Sequence, residues 1–367
     1  MDKGGSFGPC CSIFHFSDLG IPNTTEELMQ LWDSEDMVSI RKNLVNGTVS
    51  HTACSACYDR YFSTDHDILG MGKTLPIRSL NMSEDYRKYY NYANSSYIRG
   101  DIVLDYTPPE IYVFTSERCN LRCRMCTQNK SDERVFPVDN VKTILKKNGW
   151  NHIDRFGFIG GEPLLTSDGM QLLDFVANEK LNGTCIYITT NGMLLRQRIE
   201  TLKMIENLFL TISVDGVRNV YEGIRINAKW EKLVDNLMLL KKIKESERPN
   251  WKINFNSIVM KSTIAHLLDL LKLGETIGAT VFFNVINEAE DENIFTRPWL
   301  LDELPNWQQH IDTTLEYADR IGAHKAYDSL KVIKKRIISV RENCKPPPFI
   351  YRSKKIFKKL QKTILRR

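Results

Sequence analysis

Three cysteines lie within eight residues of the chain, in the segment Cys119-Asn-Leu-Arg-Cys123-Arg-Met-Cys126. Thiolates are the usual ligands of iron–sulfur clusters and of structural zinc. A [4Fe–4S] cube has four irons and normally takes four thiolates, so a loop with three leaves one iron open for a substrate or cofactor. The spacing therefore favours an iron–sulfur site. The alternatives are a zinc site that lacks one ligand and three buried thiols without a metal.

Composition places the chain among ordinary globular proteins. It has 367 residues, 42% of them apolar, which is enough for a full core and more than one domain. No apolar run reaches membrane-spanning length, and we expect no secretory signal. The nine cysteines are an odd number, which argues against a disulfide framework and predicts a reducing, cytoplasmic location.

The charge is concentrated at the C-terminal end. Residues 331–367 contain 14 Lys and Arg against one acid, Glu342, although the whole chain has a net charge of only +5. This basic tail could bind an acidic peptide, a nucleic acid or a membrane surface, or it could be a solvated end. Its three aromatic residues are too few to predict a base-stacking surface, which disfavours a nucleic-acid partner.

Short apolar runs alternate with helical patterns between Glu110 and Asn287. The runs predict six strands, at Ile111–Phe114, Phe156–Ile159, Cys185–Thr189, Phe209–Val214, Ile253–Val259 and Val281–Val285. The intervening periodicity predicts helices such as Gly169–Glu179 and Lys229–Ile243. Alternating strands and helices imply parallel pairing with right-handed crossovers. The fold class is therefore α/β, as an open doubly wound sheet or as a complete or partial barrel.

Polar motifs follow the first four predicted strands at the point where each strand ends. They are Cys119, then Gly160-Gly161-Glu162-Pro163, then Thr190-Asn191-Gly192, then Ser213 with Asp215-Gly216. The carboxyl ends of parallel strands share one face of a sheet or barrel, and catalytic groups gather there. We therefore expect these motifs to line one site. Taken singly, each of them is also a common turn sequence.

The residue types of these motifs suit a ligand that resembles an amino acid. Glu162 could hold an ammonium group, and Arg225 could pair with a carboxylate through its planar fork. Ser213 can bond a carboxylate or a hydroxyl, and Asn191 offers both a donor and an acceptor. The glycines let the main chain approach a ligand closely. No residue stands out as a hydrogen-atom donor.

Together these residues resemble the radical S-adenosylmethionine (radical SAM) enzymes. The matching residues are Cys119, Cys123 and Cys126 for the Cys-x3-Cys-x2-Cys loop, Gly160–Pro163 for the Gly-Gly-Glu-Pro motif, and Ser213, Asp215 and Gly216 for the Ser-x-Asp-Gly strand end. The resemblance covers about Glu110 to Asn287.

The resemblance implies a partial (β/α)6 TIM-type barrel with a [4Fe–4S] cluster at its mouth. The open iron would chelate S-adenosylmethionine, which one electron cleaves to a 5′-deoxyadenosyl radical that abstracts a substrate hydrogen. By the same resemblance Glu162 would hold the ammonium group of S-adenosylmethionine. Ser213 and Arg225 would hold its carboxylate, and Asn191 or Asp215 would contact its ribose. Gly160 and Gly161 would line the cofactor.

The N-terminal segment resembles the SPASM or twitch modules that carry an auxiliary cluster. It implies a second [4Fe–4S] cluster with ligands drawn from Cys10, Cys11, Cys54 and Cys57. His51 or Cys344 could supply a missing ligand, or the segment could hold zinc. The chain then divides into an auxiliary module at 1–75, a connector at 76–107, a radical SAM core at 108–290 and a helical extension with the basic tail at 291–367.

Three functions remain open on this basis. The first is a radical SAM enzyme that acts on a peptide or another polar metabolite, with an electron donor such as flavodoxin or ferredoxin. The second is a cysteine-rich module that binds zinc or iron–sulfur without catalysis. The third is a barrel that binds S-adenosylmethionine without cleaving it.

Overall fold

The computed structural model describes residues 22–46, 48, 84–128, 135–147, 153–179, 183–286 and 289–344. Most of the predicted auxiliary module lies outside these residues, including Cys10, Cys11, Cys54 and Cys57. Within them the chain forms two compact units. One unit takes the described residues up to 122 with 128–213 and 227–254, and the other takes 123–127, 214–226 and the described residues from 255 onward.

The main sheet has six strands, and all six were predicted from the apolar runs. They are β1 (Glu110–Phe114), β3 (Arg155–Ile159), β4 (Cys185–Thr190), β5 (Leu208–Ser213), β7 (Lys252–Val259) and β8 (Thr280–Val285). They pair in the order β1-β3-β4-β5-β7-β8. A separate two-stranded ladder joins β2 (Arg122–Cys123) to β6 (Arg225–Ile226).

The strand order decides between two of the predicted architectures. The pairs β1–β3, β3–β4 and β4–β5 are parallel, so the sheet is mostly parallel as expected. Each strand lies beside its successor along the chain, whereas a doubly wound sheet reverses its order at a switch point. With right-handed crossovers, an order that never reverses keeps all connecting helices on one face. The doubly wound alternative is therefore wrong.

Helices connect the strands and extend beyond them. They are α1 (Thr25–Trp32), α2 (Glu35–Val45), α3 (Glu84–Arg99), α4 (Val138–Lys147), α5 (Ser167–Asn178), α6 (Leu195–Lys203), α7 (Arg218–Ile224), α8 (Trp230–Ser246), α9 (Leu267–Ile277), α10 (Trp307–Arg320) and α11 (His324–Asn343). Short 3-10 helices lie at Ile264–His266 and Pro298–Glu303. None of the helices in the described part of the chain has the length and apolarity needed to cross a membrane.

The first four strands of the main sheet have two different faces. One face is fully buried and carries residues such as Val113, Phe156 and Ile188. The opposite face is only half-buried, and it carries Tyr112 and Tyr187. The buried face therefore belongs to the apolar core of the protein.

One segment differs from its prediction. Residues 76–107 were expected to be a connector, but α3 forms a helix of 16 residues within them. Tyr86, Tyr90 and Ala93 are buried at a spacing of four and three residues, which is one face of a helix. The aromatic rings supply apolar area although the segment is polar on average, so composition alone conceals the helix.

Candidate functional site

The glycine-rich turn after β3 is fastened to the segment that leads into Cys119. The N–H of Gly161 donates to the carbonyl of Ser116 at 2.8 Å, and the N–H of Glu162 donates to the carbonyl of Arg118 at 2.9 Å. A Cβ added at Gly161 would lie 2.1 Å from the Arg118 oxygen. Only glycine therefore allows the two main-chain segments to lie this close.

Gly160 needs glycine for a second reason. Its φ is +124°, a conformation that side chains rarely allow, and an added Cβ would lie 2.6 Å from the carbonyl oxygen of Ser116. The carbonyl of Gly160 accepts a hydrogen bond of 2.9 Å from the side-chain amide of Gln128. The turn is thus bonded both to the segment before Cys119 and to Gln128, which follows the cysteine loop.

The carboxylate of Glu162 is used inside the protein. One oxygen accepts from the hydroxyl of Thr190 at 2.8 Å and from the N–H of Leu164 at 3.2 Å, and the other accepts from the N–H of Asn191 at 2.8 Å. The residue is 1% exposed. Glu162 therefore ties the turn after β3 to the motif after β4. The predicted contact of its carboxylate with an ammonium group stays a prediction.

Asn191 connects the same motif to the first cysteine. Its side-chain amide donates to the oxygen of Asn120 at 2.8 Å and lies 3.6 Å from Sγ of Cys119. The N–H of Leu121 lies 3.4 Å from the same sulfur. The side-chain oxygen of Asn191 accepts from the N–H of Met193 at 3.0 Å. Two donors thus face the sulfur of Cys119, which suits a thiolate, and the ribose contact of Asn191 stays a prediction.

The second unit contains the other two cysteines of the loop. The N–H of Cys126 donates to the carbonyl of Cys123 at 3.1 Å, which closes a tight turn. The N–H of Arg124 donates to the carbonyl of Ile224 at 3.0 Å. The guanidinium of Arg225 donates to Sγ of Cys123 at 3.7 Å. The loop and the segment around residue 225 are therefore aligned by both main-chain and side-chain bonds.

Arg225 and Asp215 form a buried ion pair in this unit. Nη2 of Arg225 lies 2.6 Å from one oxygen of Asp215, and the other oxygen accepts from the N–H of Ile258 at 2.7 Å. Burial alone would lower the pKa of Arg225, but the negative charges of Asp215 and Cys123 outweigh it and raise the pKa above its usual value. The structure therefore pairs these two predicted cofactor ligands with each other. Asp215 is fully buried, and its predicted contact with a ribose stays a prediction.

One contact of the cysteine loop was not predicted. Arg124 bridges the carboxylates of Asp291 and Glu292, the latter at 3.0 Å. The second oxygen of Glu292 accepts from the N–H of Ser262 at 2.9 Å, and its side chain is only 7% exposed. The acidic stretch after β8 was visible in the sequence, but nothing in the sequence assigns its partner.

The remaining predicted site residues have simpler positions. Ser213 ends β5 with a half-buried side chain. Among the other cysteines, Cys185 is 3% exposed within β4, and Cys344 is exposed. In the part of the chain that the structure describes, no three His, Cys, Asp or Glu side chains gather closely enough to hold a single metal ion.

Comparison with known proteins identifies the region that carries these motifs. Residues 113–273 match the family model described as the Radical SAM superfamily. A GTP 3′,8-cyclase of Helicobacter pylori (strain HPAG1) is 30% identical over 181 residues, which are 46% of this chain and 52% of the cyclase. A GTP 3′,8-cyclase of Aquifex aeolicus (strain VF5) is 26% identical over 183 residues, which are 46% of this chain and 53% of the cyclase.

The chain spans about half the length of the curated relatives it matches. Among solved structures, Streptococcus suis SuiB bound to its precursor peptide SuiA aligns with a TM-score of 0.45 and 17% identity, over 81% of this chain and 64% of that chain. The region with the cysteine loop, the glycine turn and the ends of β4 and β5 coincides with the family match. Residues 113–273 of this chain are therefore similar to the Radical SAM superfamily domain.

Proposed function

We propose that this chain binds a [4Fe–4S] cluster through Cys119, Cys123 and Cys126 and uses it on S-adenosylmethionine. When bound, the cluster supplies one electron that cleaves the cofactor to methionine and a radical that takes a hydrogen atom from the substrate. The observation that carries the proposal is the environment of two sulfurs. Cys119 faces the amide of Asn191, and Cys123 faces the guanidinium of Arg225, each within its own unit.

The surroundings of the two sulfurs suit an iron–sulfur cluster. Three thiolates leave one iron of a [4Fe–4S] cube open for a cofactor. N–H donors facing the sulfurs also stabilise the negative charge that an iron–sulfur site carries.

Arg225 supports the proposed contact with the cofactor carboxylate. Its Nε is buried and has no hydrogen-bond partner within the described ranges. A buried donor without a partner costs about 1–3 kcal/mol, so an anion that reached it would be stabilised. Ser213, half-buried at the end of β5, remains the second proposed partner of the carboxylate. Glu162 and Asn191 would act by fixing the loops around the cofactor.

The substrate that we propose is a peptide or another polar metabolite. The basic tail would attract an acidic group, because residues 331–367 carry 14 Lys and Arg against one acid. The relatives are named for a reaction of GTP, which favours a nucleotide as the second candidate, although their matches cover 46% of this chain. Release of 5′-deoxyadenosine measured with acidic peptides and with GTP would separate the two.

Anaerobic reconstitution tests the central proposal. The protein should take up iron and sulfide, turn brown and release 5′-deoxyadenosine when reduced with dithionite. Cys123→Ala should lose cleavage completely because the cluster loses a ligand. The matched control is Cys344→Ser, which removes an exposed thiol at the end of α11 and should keep the cofactor cleavage of the parent. A colourless zinc protein, or a brown protein that never cleaves the cofactor, would contradict the proposal.

The second cluster also stays part of the proposal. Its ligands would come from Cys10, Cys11, Cys54 and Cys57, which lie outside the described residues. Two cubes require about eight irons per chain and one cube about four. Iron analysis of the reconstituted parent and of a variant with Cys54 and Cys57 both changed to Ala measures this difference. A parent that binds only about four irons would contradict the second cluster.

A further inference from the structure

The guanidinium of Arg225 contacts a cluster ligand as well as a carboxylate. Nη2 is 2.6 Å from Asp215, while Nη1 is 3.7 Å from Sγ of Cys123. Arg225 is 7% exposed and Asp215 is not exposed at all, so water does not compete for the bond between these two side chains. The cation is therefore shared between a buried carboxylate and the sulfur.

Several bonds hold this arrangement in place before any cofactor binds. β6 begins at Arg225 and pairs with β2, which ends at Cys123. The adjacent bond between the N–H of Arg124 and the carbonyl of Ile224 measures 3.0 Å. Asp215 is fixed on its other side by the N–H of Ile258. Because main-chain pairing sets the register, the approach of Arg225 to the sulfur is built into the fold.

We propose that Arg225 is a positioning residue that raises the reduction potential of the cluster through its hydrogen bond to Cys123. This inference rests on the proposed function. Hydrogen bonds to cluster sulfurs and the local net charge both set the potential of iron–sulfur centres. A cationic donor draws electron density from the thiolate and so stabilises the reduced cluster, which carries one more negative charge. The electron comes from the added reductant, and no proton or bond changes place.

Asp215 limits this effect and gives it a second test. Its negative charge neutralises much of the field of Arg225, because the two groups are in direct contact in a buried site. Removal of Arg225 should therefore make the cluster harder to reduce. Neutralisation of Asp215 leaves the cation uncompensated and should make the cluster easier to reduce. A general loss of structure is not expected to shift the reduction potential in opposite directions when either of these two contacting residues is changed.

The experiment is a redox titration followed by the electron paramagnetic resonance signal of the reduced cluster, without S-adenosylmethionine. Leaving out the cofactor separates this role from the proposed contact with its carboxylate. Arg225→Met should shift the reduction equilibrium about tenfold toward the oxidised form, which is about 59 mV for one electron. Arg225→Lys should shift the equilibrium less, because lysine keeps the positive charge but lacks the planar guanidinium group. Asp215→Asn should shift it in the opposite direction.

The matched control is Arg122→Met. Arg122 is an exposed neighbour of Cys123, so this change removes the same charge next to the same ligand, and the potential should stay at the parent value. Equal potentials for the parent, Arg225→Met and Asp215→Asn would overturn the inference. If the Arg225→Met protein fails to bind iron, the upward shift in reduction potential of the Asp215→Asn protein decides the test alone. A parent that binds no cluster would instead contradict the proposed function.

Discussion

Replacing Gly161 with alanine should break the fit between the turn after β3 and the segment that leads into Cys119. The new Cβ would lie 2.1 Å from the carbonyl oxygen of Arg118 and 2.5 Å from that of Glu117. Both obstacles are main-chain atoms, which cannot rotate away. The cysteine-bearing segment must therefore move by about 1 Å before the contact becomes tolerable, since interiors are close-packed.

The size of the effect follows from this displacement. Overpacking of a well-packed site costs about 1–3 kcal/mol of stability. The move would also stretch the hydrogen bonds from Gly161 to Ser116 and from Glu162 to Arg118, which now measure 2.8 and 2.9 Å. A misplacement of about 1 Å at a reacting centre can cost about 100-fold in rate. We expect Gly161→Ala to lower the melting temperature and to slow cofactor cleavage by about that factor.

Gly223→Ala is the matched control, because an added Cβ at Gly223 meets nothing within 4 Å. Gly223 lies in α7, where alanine is favoured over glycine by about 0.5–1 kcal/mol. The control should therefore match or slightly exceed the parent in stability, bound iron and release of 5′-deoxyadenosine. If Gly161→Ala kept the iron content, melting temperature and cleavage rate of Gly223→Ala, the close approach would not position the cysteine loop.

Two further changes test the electrostatics of the first unit. Glu162→Gln places an amide nitrogen against the N–H of Asn191 or of Leu164 and should cost about 1.5–3 kcal/mol of unfolding free energy in urea. The exposed change Glu200→Gln should cost almost nothing, and equal losses would contradict the internal role of Glu162. Burial raises the pKa of Tyr112 from 10.0 to about 12, so its stabilising contribution is present below pH 10 and is lost as the pH rises through 12. The parent should therefore lose stability more steeply than Tyr112→Phe over this range, and parallel pH profiles would refute the shift.

The main sheet could be predicted closely because its strands are buried. The apolar runs give the bounds of all six strands to within one residue, as strands covered by helices read as nearly continuous hydrophobic segments. The short strands β2 and β6 have two residues each, which is too few for any pattern. Their existence depends on a tertiary contact that periodicity cannot show.

The positions of the strand ends also predicted which side chains lie close together, but not which atoms form their hydrogen bonds. Glu162 and Asn191 come together within one unit, as parallel topology requires, whereas Asp215 meets Arg225 of β6 within the other unit. The sequence gives no means of seeing that Glu162 accepts bonds from Thr190 and Leu164. Hydrogen-bond partners depend on distances of a few tenths of an ångström, which spacing along the chain does not determine.

Three of the predicted cofactor ligands also have hydrogen-bond partners within the chain, and the need to satisfy buried polar groups explains why. A buried carboxylate or amide needs partners in every state of the protein, including the state without cofactor. Glu162, Asn191 and Asp215 meet this need through the chain itself and so preserve the shape of the loops. The groups that remain for a ligand are those whose bonds are incomplete, such as Nε of Arg225. A cofactor that completes this buried bond gains the energy that the chain leaves unsatisfied, which makes Arg225 the side chain where binding and cluster chemistry should be coupled.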